Sequence, residues 1–375
     1  MDLDFTPEQD MLRDVVRGIC ATPAIAAGVR DLEDDPKGYS DAFWDQLAKA
    51  DLCGLLIDED HGGSGMSLLE GAVVAEELGR SLVPSPWFVS SVLAAGVIAR
   101  AGTHEQRATW LPRIASGASV VSIAWLEPDN GFGAKGVQVR GTADGDDLIV
   151  TGAKRHVFFA SSAERLVTLV RTGDADDDIA VVLIDPNADG VTLSQKMSIA
   201  SDTQYDVTFD EVRVTAADRL GGAGVNGWAS WDATMADGAI LAAALASGGA
   251  RYTLEITTQY AKDREQFDKP LGAFQAIAHY LADAKTTSDG ATLLTYEAAW
   301  ARSEGRDVTK LAPMAKSFAC RTYRDTTAMA QQVFGGVGFT VEYDIQLYFR
   351  RAKALQLNWW DERECEHRIA AAVLD

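Results

Sequence analysis

Apolar residues recur at helical spacing through the first third of the chain. Phe43, Trp44 and Leu47 form one stripe; Leu68, Leu69, Val73, Val74 and Leu78 form another. Thr6-Pro7-Glu8 supplies an N-cap hydroxyl, a proline at the first helical position and an acidic first turn, so a helix is predicted to begin there. His61-Gly62-Gly63-Ser64-Gly65 and Pro84-Ser85-Pro86 interrupt the pattern as loops. From residue 119 onward the period changes. VVSIAWL (residues 120–126), DLIVTG, RLVTLVR, IAVVLI and YDVTFDEVRV are short, β-branched and separated by Gly/Asp turns, which predicts strands. Helical spacing returns from residue 226. The strongly apolar run 239–250 is read as a core helix, too short to span a bilayer. Amphipathic stretches at 252–260 and 274–301 follow, and Gly305 and Gly335-Gly336-x-Gly338 mark breaks. The expected organisation is therefore helical over 1–118, β over 119–225 and helical again over 226–375.

At 375 residues, 47% of them apolar, the chain can bury two or three cores. A net charge of −21 argues against nucleic acid and against an anionic membrane surface as partners. Cys20, Cys53, Cys320 and Cys365 have no metal-binding spacing and are expected to be buried thiols in a reducing cytosol. The N-terminal stretch MDLDFTPEQDMLRD has neither a basic nor an apolar leader region, so no secretory signal is read and a cytoplasmic location is expected. The acidic loop 173–178 fits no EF-hand spacing and is read as a solvated hairpin loop, with no metal expected.

Two motifs carry a family resemblance. The first is YAKDREQFDKPLGAFQAIAHYLAD, residues 260–283. The second is Gln332-Val333-Phe334-Gly335-Gly336-Val337-Gly338-Phe339. Together with the α–β–α order, they make the chain resemble the acyl-CoA dehydrogenases over essentially its whole length. These flavoenzymes oxidise the Cα–Cβ bond of a thioester. The resemblance implies a multidomain α+β fold: an N-terminal α domain, a middle β-barrel and a C-terminal four-helix bundle. It implies FAD as cofactor, an acyl-CoA substrate, and electron-transfer flavoprotein or a similar electron acceptor. It also implies an oligomer in which elements of one subunit reach the FAD of its neighbour. The elements that match are Arg264, Gln266, Phe267 and Gln275 in the first motif, and Gln332, Gly335 and Gly336 in the second. A guanidinium suits a pyrophosphate, and glycine lets backbone approach phosphate or ribose closely. The plain alternatives are a surface arginine with a core phenylalanine, and a glycine pair that ends a helix.

Two further motifs depart from the family pattern. Trp125-Leu126-Glu127-Pro128 keeps the Glu-Pro, but Leu126 stands where the family has a threonine that bonds the flavin ring. Phe132 and Gly133 replace a serine and an aspartate. Lys154-Arg155-His156-Val157-Phe158 places His156 and Phe158 at the positions of the family's flavin-packing tryptophan and N5-bonding threonine. Leucine has no donor for the ring, and His156 can either meet a flavin or face solvent.

The family's chemistry needs a carboxylate to take the α-proton while the β-hydrogen leaves as hydride. In register, the base falls on Trp359 in one class of relatives and near Gly238 in the other; neither residue is acidic. The nearest carboxylates are Asp361 and Glu362 in the first case and Asp237 in the second, with Asp361 and Asp237 the candidates for the base. Asp361 also suits a helix N-cap, and Asp237, rotated by about 100° on its helix, also suits a solvated face. Three functions stay open. The chain is a catalytic dehydrogenase with a displaced base, or the base-lacking subunit of a heteromeric dehydrogenase. Otherwise it is a different flavoenzyme on this fold, a monooxygenase or one resembling the nitroalkane oxidases. The second is favoured, because Lys154-x-x-Val157-x-x-Ala160 and Phe274-Gln275-Ala276-Ile277-x-His279 resemble the sterol side-chain dehydrogenases. Those pair two unlike family chains, only one of which carries the base. Either fatty-acid or sterol side-chain degradation is implied; the acyl chain itself is not legible.

Overall fold

The computed structural model describes residues 4–22, 28–128, 130–176 and 178–374. Met1–Leu3 of the N-terminal reading, Asp129 of the Glu-Pro motif and Asp177 of the acidic loop lie outside the described residues. The chain divides into two compact units: Met1–Ala26 with Ser67–Val83 and Ala236–Asp375, and Ala27–Met66 with Pro84–Met235. The compact units therefore do not follow the order of the three sequence zones.

In the first unit, α1 (Pro7–Cys20) opens as predicted. The Thr6 hydroxyl accepts from the Gln9 backbone at 3.3 Å, and the Gln9 side chain accepts in return from the Thr6 backbone, at 3.1 Å. In the second unit, α2 (Asp41–Lys49) buries the expected stripe Phe43, Trp44 and Leu47. In the first, α3 (Leu68–Ser81) begins at Ser67, which forms a capping box with Glu70. After the proline break the second unit resumes with a π-helical turn, Phe88–Ala94, then α4 (Ala95–Ala101) and α5 (His104–Ala115).

Seven strands of the second unit form one sheet, the expected middle β element: β1 (Val121–Ala124), β2 (Arg140–Asp144), β3 (Asp147–Phe158), β4 (Arg165–Arg171), β5 (Ile179–Ile184), β6 (Val191–Lys196) and β7 (Gln204–Val214). The strand order is β1-β4-β2-β3-β7-β6, with β5 added on β4. β4 and β5 are buried at almost every position, which explains their unbroken apolar runs; β6 alternates and faces solvent on one side. β3 carries a bulge between Lys154 and Val157 that turns His156 into the left-handed region, φ +55.

The remaining helices are α6 (Gly227–Asp263), α7 (Gln275–Ser303), α8 (Leu311–Phe334), α9 (Ile345–Leu357) and α10 (Glu362–Leu374). The apolar run at 239–250 is not a short helix. It continues into the amphipathic stretch at 252–260 within one helix of 37 residues, because Arg251 between them breaks neither spacing nor hydrogen bonding. By length and composition α6 could cross a bilayer, but 78% of its apolar window is buried inside the protein, as in a core helix.

Candidate functional site

The helical unit brings together the two segments that carry the strongest sequence motifs. Tyr260, near the end of α6, stacks on Phe334 at the end of α8, with centroids 4.1 Å apart and planes 15° from parallel. Tyr343 meets both rings edge-on, and Ala330, Ile345, Ile256 and Val337 fill in around them. On one side of this cluster, Arg264 follows α6 and opens a hairpin of β8 (Glu265–Gln266) and β9 (Lys269–Pro270). Its two-residue loop, Phe267-Asp268, has φ of +54 and +62, the geometry of a type I′ turn. That turn leaves Phe267 86% exposed. Arg264, Gln266 and Gln275 are exposed as well, Gln275 being the first residue of α7. On the other side, Gln332 is exposed and Gly335 ends α8 at φ +65. At both Gly335 and Gly336 the space where a Cβ would stand is open. Gly338, by contrast, is closed in: a Cβ there would lie 2.5 Å from Gln331 Oε1.

The two candidate carboxylates of the same unit are engaged elsewhere. Asp361 Oδ1 accepts from the Glu364 backbone at 2.8 Å, the N-cap bond of α10. Asp237 Oδ1 lies 2.6 Å from Arg302 Nε in a half-buried ion pair. Trp359 and Trp360 are 6% and 2% exposed, and both take left-handed backbone, φ +55 and +68. The Arg368 guanidinium covers the Trp360 ring at 3.8 Å.

In the sheet unit, Leu126, His156 and Phe158 lie on neighbouring segments: the Arg155 amide donates to Leu126 O at 2.8 Å. His156 is exposed, with Nδ1 donating to Gln204 Oε1 at 2.8 Å; Gln204 Nε2 in turn donates to Asp202. Behind them sits a pair that sequence reasoning missed. Lys154, fully buried, donates to Glu127 Oε1 at 2.6 Å and to Trp125 O at 3.2 Å. Glu127 also accepts from the backbones of Gln138 and Val139. Burial pulls the Lys154 ammonium down to about 8, and the Glu127 carboxylate opposes that shift. Both residues stand in the sequence motifs, but their pairing spans 27 residues and left no local trace.

Comparison with known proteins decides the family. Residues 6–118 match the model of the acyl-CoA dehydrogenase N-terminal domain, and residues 225–358 that of the acyl-CoA dehydrogenase C-terminal domain. The chain belongs to the acyl-CoA dehydrogenase family. A probable acyl-CoA dehydrogenase of Bacillus subtilis (strain 168), YngJ, is 30% identical over 95% of each chain. The caffeyl-CoA reductase–Etf complex subunit CarC of Acetobacterium woodii is 28% identical over 94% of each. Among solved structures, a chain of the ChsE4–ChsE5 complex of Mycobacterium tuberculosis superposes with a TM-score of 0.90 at 25% identity, over 100% of this chain and 99% of that one.

Acyl-CoA dehydrogenases are FAD enzymes, and the candidate residues of the two units differ in chemistry. In the helical unit, the segments joined by the Tyr260–Phe334 contact carry an exposed guanidinium, exposed amides and two open glycines. That donor set suits a diphosphate and a ribose. In the sheet unit, Leu126 and Phe158 carry no side-chain hydrogen-bond donor.

Proposed function

We propose that this chain is the base-lacking subunit of a heteromeric acyl-CoA dehydrogenase, lending residues of its helical unit to FAD held by a second, catalytic family chain. One observation carries the reading. Trp359, at the register position of the family's base, is buried with its neighbour Trp360, and the carboxylates near the two register positions bond elsewhere: Asp361 caps a helix, Glu362 meets Arg321 and Asp237 meets Arg302.

FAD, when bound, supplies the hydride acceptor for the thioester's β-hydrogen. This chain's part is binding. The Arg264 guanidinium pairs with the diphosphate, Gln266, Gln275 and Gln332 offer amides, and Phe267 provides an apolar wall. Gly335 and Gly336 allow backbone amides to approach. Trp359 and Trp360 keep an acyl tail out of this chain's own base position. The substrate is an acyl-CoA turned over by the partner chain, with electron-transfer flavoprotein or a similar protein as acceptor. The competing reading, a displaced carboxylate in Asp361 or Asp237, would need one of them to leave its present partner.

The test uses the complex of this chain with a catalytic family chain. Arg264→Ala is expected to strip flavin from the complex. Asp361→Asn, which keeps the cap, is expected to leave the rate of acyl-CoA oxidation unchanged. A drop of about 10²-fold or more in the Asp361→Asn complex would make Asp361 the base and reject the proposal.

A further inference from the structure

One buried cation of the helical unit takes no part in the FAD-facing surface. Lys316 on α8 is 1% exposed, and its ammonium donates to Leu355 O and to Trp360 O, each at 3.0 Å. Leu355 lies in the last turn of α9, where carbonyls have no intrahelical partner, and an ammonium there also meets the negative end of the helix dipole. Trp360 is the second of two consecutive left-handed residues, a conformation that costs a bulky side chain far more than glycine. Such backbone persists only where its surroundings over-determine it.

The surroundings do so from both ends of the turn. The Ala354 carbonyl accepts from Asn358 N at 3.0 Å as α9 closes. The Asp361 carbonyl accepts from Cys365 N at 3.0 Å as α10 opens. Between these ends, Lys316 ties the terminus of α9 to the tryptophan carbonyl, and Arg368 holds the Trp360 ring from the other helix. A second cation on α8, Arg321, pairs with Glu362 just beyond the turn, but on the solvent side.

We propose that Lys316 is the positioning residue of the Trp359–Trp360 turn: by joining two backbone carbonyls, its ammonium holds both tryptophans inside the helical unit at the position of the family's base. The inference rests on the base-lacking reading for its functional meaning. What closes this chain's own base position is then a pinned turn, not two bulky side chains alone. Arg321, on the same helix but solvent-exposed, contributes little.

The experiment is amide hydrogen exchange on the full chain, with 5-fluorotryptophan resonances assigned through Trp359→Phe and Trp360→Phe. Lys316→Met is expected to raise exchange at residues 358–361 by about tenfold or more and to move both tryptophan resonances. Arg321→Ala is expected to move neither. If Lys316→Met does not fold, Lys316→Gln carries the test: it keeps an amide donor, so its exchange should fall between wild type and a fully released turn. Unchanged resonances and exchange in the lysine variant would overturn the proposal, and so would a rise spread evenly over α8 and α9. A chain that by itself holds one FAD that an acyl-CoA bleaches would refute the base-lacking reading instead, leaving these measurements to decide the role of Lys316.

Discussion

Asp361, a candidate base by sequence, makes the N-cap bond of a helix in the fold. It stands two positions from the family's base in register, and its carboxylate caps α10. Asp361→Ala should therefore lower stability by about 1 kcal/mol, while Asp361→Asn should stay close to wild type, both read by thermal or chemical denaturation. Equal losses in the two variants would speak against a cap. The cysteines make the second residue-scale prediction. Burial pushes Cys20 up to about 11, and Cys53 and Cys365 to about 12, from an ordinary value of 9.0. Folded, these thiols stay protonated and should resist a disulfide-exchange reagent near neutral pH until the chain is unfolded. Because each folded value is raised, the stability it contributes is fully present below pH 9 and is lost as pH rises toward 11 or 12. The stability gap between wild type and Cys53→Ala should narrow accordingly across that window.

At the scale of elements, local signals were legible and long-range ones were not. The Thr6 cap, the strand runs and the stripe on α2 depend on neighbours within a turn or two, so they could be read directly. The π-helical turn at Phe88–Ala94 could not, since it differs from an α-helix only in its hydrogen bonding. The Lys316 clamp was not legible, because both acceptors are backbone carbonyls, which every residue has. Glu127 and Lys154 were both seen, but nothing in a single sequence joins residues so far apart.

Glycines set one helix contact in the same way. A Cβ on Gly79 of α3 would lie 2.0 Å from Leu245 O of α6, and one on Gly248 would lie 1.8 Å from Glu76 O. The two helices therefore touch backbone to backbone. Gly248→Ala should cost about 1–3 kcal/mol by forcing them apart. Gly79→Ala should cost a similar amount, and the double variant less than the sum, because both relieve one contact. Denaturation of the three variants checks this; strict additivity would mean the two glycines act separately.

For the whole molecule, the question is what the chain does as one member of an assembly. Its family and its fold are those of the acyl-CoA dehydrogenases, while Asp361 caps a helix and Asp237 pairs with Arg302. The most direct measurement is FAD stoichiometry, taken on the purified chain alone and again after co-expression with a catalytic acyl-CoA dehydrogenase chain. Little flavin alone, and about one FAD per pair of unlike chains together, is the predicted result. One tightly held FAD per chain in the isolated protein, bleached by an acyl-CoA, would contradict it.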